Sequence, residues 1–108
     1  DGNKKIPVAV TDIIYFSANP PYISIHLAGR KYLQKETLKS ISLQLNPEQF
    51  VRIHKSTIIN IKQVTSYSTR LNGDYDLTMN NDVTLRVSRN FAAGFKQLLN
   101  KATQLTAK

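Results

Sequence analysis

The sequence predicts a mainly β domain built from short antiparallel sheets, small helices and a C-terminal helix. Three observations lead there. Short apolar runs with period-2 alternation recur along most of the chain, each closed by turn residues. Asn72-Gly73 lies between two such runs and is the strongest short hairpin signal, since both residues tolerate positive φ. After Ser88 the apolar spacing changes from that of a strand to that of a helix. A length of 108 residues suits one domain, and 41% hydrophobic residues suffice for a modest core.

Taken in order, residues 1–5 are polar and read as a frayed linker remnant, residues 6–102 as the domain, and residues 103–108 as a flexible tail. Asp1 in place of Met suggests a piece of a longer chain. Residues 6–10 (IPVAV) and 12–18 (DIIYFSA) read as the first two strands. Asn19-Pro20-Pro21 must be a loop, because proline fixes φ and removes a ladder donor. Residues 22–27 alternate, with Ile23, Ile25 and Leu27 on one face and Tyr22, Ser24 and His26 on the other. Ala28-Gly29 turns the chain into a partner strand over 30–36. Thr37 can cap a short helix with Leu38, Ile41 and Leu45 on one side, which Asn46-Pro47 stops. Residues 50–64 are rich in β-branched side chains but interrupted at His54-Lys55-Ser56, so they split into two strands around a tight connection. A meander follows over 64–71, 75–79 and 83–88, with Val83, Leu85 and Val87 facing inward. The last helix covers about 89–102, with Phe91, Phe95, Leu98, Leu99 and Ala102 on one face. Phe50, Ile53, Ile59, Phe91, Phe95 and Leu98 are the expected core.

Charge narrows the function. Fifteen Lys and Arg against seven Asp and Glu give a net charge of +8, the electrostatic footprint of a domain with a polyanionic partner. The absence of Cys excludes disulfides and thiolate metal sites, and His26 and His54 alone are too few for an ordinary zinc site. No metal or cofactor is expected, since no phosphate-binding loop, nucleophile elbow or metalloprotease motif is present. The acidic residues form no catalytic pair, and Asp74 and Asp76 flank a turn where Asp is common for local reasons. An enzyme is therefore the poorest of the readings. No apolar run approaches the ~20 residues of a membrane span, so a cytoplasmic domain without a membrane partner is the simplest reading.

Two polar clusters interrupt otherwise regular elements. The first is Arg52, His54, Lys55 and Ser56, the second Arg86, Ser88, Arg89 and Asn90 at the junction into the last helix. Arg can bind guanine O6 and N7 together, Asn can do the same for adenine, and Lys, Ser and backbone amides hold phosphates. The start of the last helix could also hold a phosphate. Plainer roles compete: Ser88 as a helix cap, His54 as a hydrogen-bonded structural residue, and Arg52 and Arg86 as solvated charges. RNA is the rival nucleic acid, for which only Tyr22, Tyr32 and Tyr67 could serve as stacking aromatics.

The stretch Phe50-Val51-Arg52-Ile53-His54-Lys55-Ser56-Thr57-Ile58-Ile59-Asn60-Ile61 resembles the signature of the LytTR family of bacterial DNA-binding domains. Val87-Ser88-Arg89-Asn90-Phe91 is similar to that family's Ser-Arg pair opening the last helix, and Asp12-Ile13-Ile14-Tyr15-Phe16 to its second strand. Asn72-Gly73 and Thr37-Leu38 also fall in place, and the likeness spans about residues 6–100. The resemblance implies compact antiparallel sheets and DNA binding through loops that enter successive major grooves. It places base contacts at the loop after the second strand (Asn19 to Tyr22), at Lys55 and at Arg89. Lys55 stands where Arg or Asn is common in the family. The implied partner is promoter DNA with imperfect direct repeats, bound by two copies, in a two-component regulator whose receiver domain precedes this one. The Asn19-Pro20-Pro21 loop is poor in donors, and this motivates an alternative: a regulatory or protein-interaction module that kept the fold without specific DNA binding.

Overall fold

A computed structural model describes residues 4–102, and among these residues eight strands form two antiparallel sheets. The first sheet contains β1 (Tyr15–Asn19), β2 (Tyr22–Leu27), β3 (Arg30–Gln34), β4 (Phe50–His54) and β5 (Thr57–Asn60) in the order β3-β2-β1-β5-β4. The second contains β6 (Val64–Thr69), β7 (Tyr75–Met79) and β8 (Thr84–Val87) in sequence order. Helix α1 (Leu38–Ser42) joins β3 to β4, and helix α2 (Ala92–Ala102) follows β8. The expectation of a mainly β domain with short antiparallel sheets and a C-terminal helix is met.

Alternation along the first sheet sends side chains to two separate cores. Phe16, Ile23, Ile25, Phe50 and Ile58 pack with Leu38 and Ile41 of α1 on one face. Ile14, Ile53 and Ile59 pack on the other with Leu77, Met79 and Val87 of the second sheet and with Phe95, Leu98 and Leu99 of α2. The apolar stripe of α2 thus closes the second core. Of the expected core, Phe50, Ile53, Ile59, Phe95 and Leu98 are buried, whereas Phe91 is half-buried and packs at the rim. Asn60 is fully buried but satisfied, for its Nδ2 donates to the Ile13 carbonyl at 2.9 Å and its Oδ1 accepts from the Lys62 amide at 3.0 Å.

Several boundaries differ from expectation. Residues 6–10 form no strand; the chain makes a 3-10 turn at Val10–Asp12 instead. Both edges of β1 are occupied by β2 and β5, Pro7 lacks a donor, and Ile6 and Val10 are about half exposed. Alternation alone could not supply a pairing partner. β1 accordingly starts at Tyr15 rather than 12, after Ile13 and Ile14 have entered opposite cores. Asn19-Pro20-Pro21 is not a free loop: Asn19 ends β1, pairs with Tyr22, and leaves Pro20 and Pro21, joined by a cis peptide bond, as the whole turn. Ser24 is buried on the face opposite Ile23 and Ile25, where Ser17 and Leu33 flank it in register. α1 is shorter than the 37–45 stretch, but Thr37 caps it as expected, its Oγ1 accepting from the Ser40 amide at 3.0 Å. The final helix opens with a 3-10 turn at Arg89–Phe91, and Ala102 on its expected inner face is exposed. The expected linker at 1–5 lies partly, and the tail at 103–108 wholly, outside the described residues.

Candidate nucleic-acid interface

β4 and β5 are joined by a two-residue turn, Lys55-Ser56, whose shape is set by the residues on either side. A register shift between Arg52 and His54 adds local twist to β4. Arg52 Nε donates to the His54 carbonyl at 2.9 Å, and its Nη2 donates to the Lys55 carbonyl. One planar guanidinium therefore spans both carbonyls of the bend, a use that needs the arginine fork. The Ser56 amide donates to His54 Nδ1 at 3.2 Å, and the Ser56 hydroxyl lies 2.8 Å from the same nitrogen. Nδ1 is thus the acceptor, which assigns the neutral ring's proton to Nε2. The Ser56 carbonyl accepts from the Ala18 amide at 2.9 Å and ties the turn to the end of β1. Among Arg52, His54, Lys55 and Ser56, only Lys55 is exposed.

The β1–β2 turn stands beside it. Pro20, Pro21, Tyr22, Arg52 and Lys55 line one shallow cleft of about 270 Å³, with Lys39 of α1 on its far wall. Asn19 and Tyr22 are exposed there. The second cluster reaches the same region through the backbone. The Ser88 amide donates to the Ile53 carbonyl at 3.0 Å, crossing from the entry of α2 to β4 of the other sheet. Arg89 and Asn90 follow at once and are exposed. The stem of Arg89 lies over the β6–β7 turn, where a Cβ added to Gly73 would sit 3.6 Å from its Cγ and Cδ.

The structure therefore brings together Asn19, Tyr22, Lys55 and the turn-forming Arg52, His54 and Ser56, and couples Ser88, Arg89 and Asn90 to them. Three details depart from the sequence reading. Ser88 holds the cap position of the Arg89–Phe91 turn, but its side chain makes no cap bond. The Phe91 and Ala92 amides already donate to the Ser88 and Arg89 carbonyls, so the entry to α2 is not a bare row of donors for a phosphate. Arg86 is not free: its Nε lies 3.7 Å from Asp76 Oδ1, while Arg70 Nε donates to Asp76 Oδ2 at 2.9 Å. That three-residue ion group on the outer face of the second sheet had no sequence signal beyond turn-flanking Asp76. Sequence reasoning also missed Lys39, whose place on the cleft depends wholly on how α1 packs.

Away from these turns, His26 stacks on Tyr15 with ring centroids 3.9 Å apart, and its Nε2 lies 2.8 Å from Ser17 Oγ. Burial and then the charge of Lys31 hold the His26 imidazole below its ordinary pKa, and burial raises that of Tyr15.

A family model described as the LytTr DNA-binding domain matches residues 3–100, nearly the whole chain. The chain belongs to the LytTR DNA-binding domain family. This LytTR domain is 31% identical over 103 residues to the transcriptional regulatory protein LytR of Staphylococcus aureus, a match covering 87% of the chain and 42% of that protein. It is 27% identical over 99 residues to the sensory transduction protein LytT of Bacillus subtilis, covering 92% of the chain and 41% of that protein. A LytTr DNA-binding domain from Bacillus cereus shares its fold, with a TM-score of 0.81 at 24% identity and coverage of 87% and 86% of the two chains. The chain spans less than half the length of the curated relatives it matches. No helix among the described residues is long and apolar enough to cross a membrane.

Proposed function

We propose that this LytTR domain binds double-stranded promoter DNA in a sequence-specific way and serves as the cytoplasmic output module of a bacterial two-component transcription regulator. The observation that carries the reading is the bond from the Ser88 amide to the Ile53 carbonyl. It ties β4, which leads into the Lys55 turn, to the residue before Arg89, on a chain of net charge +8. Two exposed cationic side chains at fixed spacing suit contact with two stretches of one DNA face. Arg89 then contacts guanine, and Lys55 contacts guanine acceptors in the neighbouring groove. Asn19 and Tyr22 form the third contact, beside backbone-binding Ser88 and Asn90, while Arg86 reaches a phosphate by leaving Asp76. Arg52, His54 and Ser56 hold the Lys55 turn in shape. Imperfect direct repeats bound by two copies, and a receiver domain preceding this one in the full protein, complete the proposal.

Selection of bound duplexes from a random-sequence pool tests it. A recovered consensus with two half-sites is the expected result. Enrichment of no sequence, with a full salt dependence, sinks the proposal and favours the module without specific DNA binding. The Pro20-Pro21 turn, which lacks side-chain donors, is the feature that second reading draws on.

A further inference from the structure

The hairpin between β6 and β7 carries a side chain that its own turn does not require. The Gly73 amide donates to the Arg70 carbonyl at 3.1 Å, and the Arg70 amide donates to the Asp74 carbonyl at 2.8 Å. Asn72 Oδ1 accepts from the Asp74 amide at 3.1 Å. These bonds enclose a three-residue loop, Leu71-Asn72-Gly73, with Gly73 at φ 92°. Such a loop is a type I turn followed by a glycine bulge, a hydrogen-bonded and well-defined tip. Leu71 takes the first central position, which accepts nearly any residue and is best filled by proline. Its side chain is fully exposed.

A lone exposed leucine is ordinary on a protein surface. Its place in the fold sets this one apart. Gly73, two residues on, lies under the stem of Arg89, so the tip is part of the support for a residue assigned to base contact. Two residues span at most about 7 Å of chain, which keeps Leu71 close to the stem of Arg89. The neighbouring Arg70 turns back to Asp76, so the tip presents an apolar group rather than a charge. A leucine cannot hold a phosphate. It can cover the thymine 5-methyl, the apolar group that the major groove displays.

We propose that the β6–β7 hairpin tip is a further DNA-contacting loop, in which Leu71 packs on a thymine 5-methyl group beside the bases contacted by Arg89. The inference rests on the specific-DNA reading above. The test uses the duplex that wild type selects from the random pool, with each thymine replaced in turn by deoxyuridine, which removes only the methyl group. At one or two positions uracil should weaken wild-type binding about three- to tenfold, the scale of one buried methyl-sized contact. Leu71→Ala should lose the same factor on the parent duplex, ignore uracil at those positions, and melt at the wild-type temperature. Arg89→Ala should keep the uracil penalty while losing its guanine preference. Parent-duplex affinity unchanged in Leu71→Ala overturns the inference and leaves the specific-DNA reading standing. So does a loss in Leu71→Ala that persists equally on every uracil duplex, which would mean a wedge or backbone contact. If wild type selects no sequence, the specific-DNA reading fails, and this inference fails with it.

Discussion

The amide of Ser88 and the carbonyl of Ile53, 3.0 Å apart, form a backbone bond between the two sheets of this LytTR domain. Neither partner is a side chain, so substitution cannot easily remove it. Ile53 is fully buried, and its carbonyl would be costly to leave unpaired. The consequence is that the residues just after each partner, His54-Lys55 and Arg89, keep a fixed relation however their own side chains move.

Arg89 and Lys55 should separate by the kind of contact each makes. Arg89→Ala should cost roughly 1–3 kcal/mol on the selected site and relax preference at one guanine. Lys55→Ala should lose affinity mainly at one position of the site. A uniform loss on all duplexes, with the salt slope lowered by about one, would instead mark Lys55 as a phosphate contact. Salt titrations of both variants on selected and scrambled duplexes make the distinction, and equal losses on both duplexes for Arg89→Ala would remove it from base contact.

Arg52 should matter without touching a base. Its guanidinium joins the His54 and Lys55 carbonyls, and a lysine ammonium lacks the planar fork to do so. Arg52→Lys should therefore behave much like Arg52→Ala, destabilising by about 1–3 kcal/mol and speeding hydrogen exchange of the Ser56 and Ala18 amides. Unaltered exchange at those two amides in both variants would show that the turn holds its shape without Arg52.

Phe95→Ala should destabilise the domain by roughly 3–5 kcal/mol, enough to unfold much of a marginal domain. The ring is fully buried against Tyr67 and Tyr75, with centroids 6.2 and 5.3 Å away. A melting temperature near wild type for this variant would contradict that packing.

Stability should decline as pH falls below about 6.5, the ordinary value for histidine. The folded state holds the His26 imidazole below that value, so the unfolded chain binds its proton more readily. Above the ordinary value both states are neutral and the contribution of His26 is complete. It is lost as pH drops through the window down to the lower folded value. His26→Gln, which still offers Ser17 a partner, should flatten this part of a melting-temperature series. A slope as steep in His26→Gln as in wild type would assign the effect elsewhere.

Much of this is legible in the sequence. The β2 alternation, the split at His54-Lys55-Ser56, the meander and the α2 stripe all rest on local periodicity, which needs no partner to be seen. What failed needed tertiary knowledge. Residues 6–10 alternate as a strand does, yet the strand they lead into, β1, has no free edge to offer them. The Asn72-Gly73 pair was expected to be the centre of the hairpin turn, but the centre is Leu71-Asn72, and only Gly73 needs positive φ. At the candidate interface, residue types and positions were readable, whereas their division of labour was not. That Arg52 clamps a turn, that Asp76 is shared by Arg70 and Arg86, and that Ser88 acts through its amide are facts of distance.

Ile58 and Ile59 are adjacent in β5, both buried, and belong to different cores. This four-residue strand, like its partner β4 with Phe50 and Ile53, thus has each face filled by a separate set of side chains. Neither core can loosen without exposing one side of that strand. The two sheets should therefore melt in one cooperative step rather than as separate units. In native-state hydrogen exchange, the β5 amides should open only with the whole molecule, while the turn that β5 begins from keeps its place on the most rigid part of the fold.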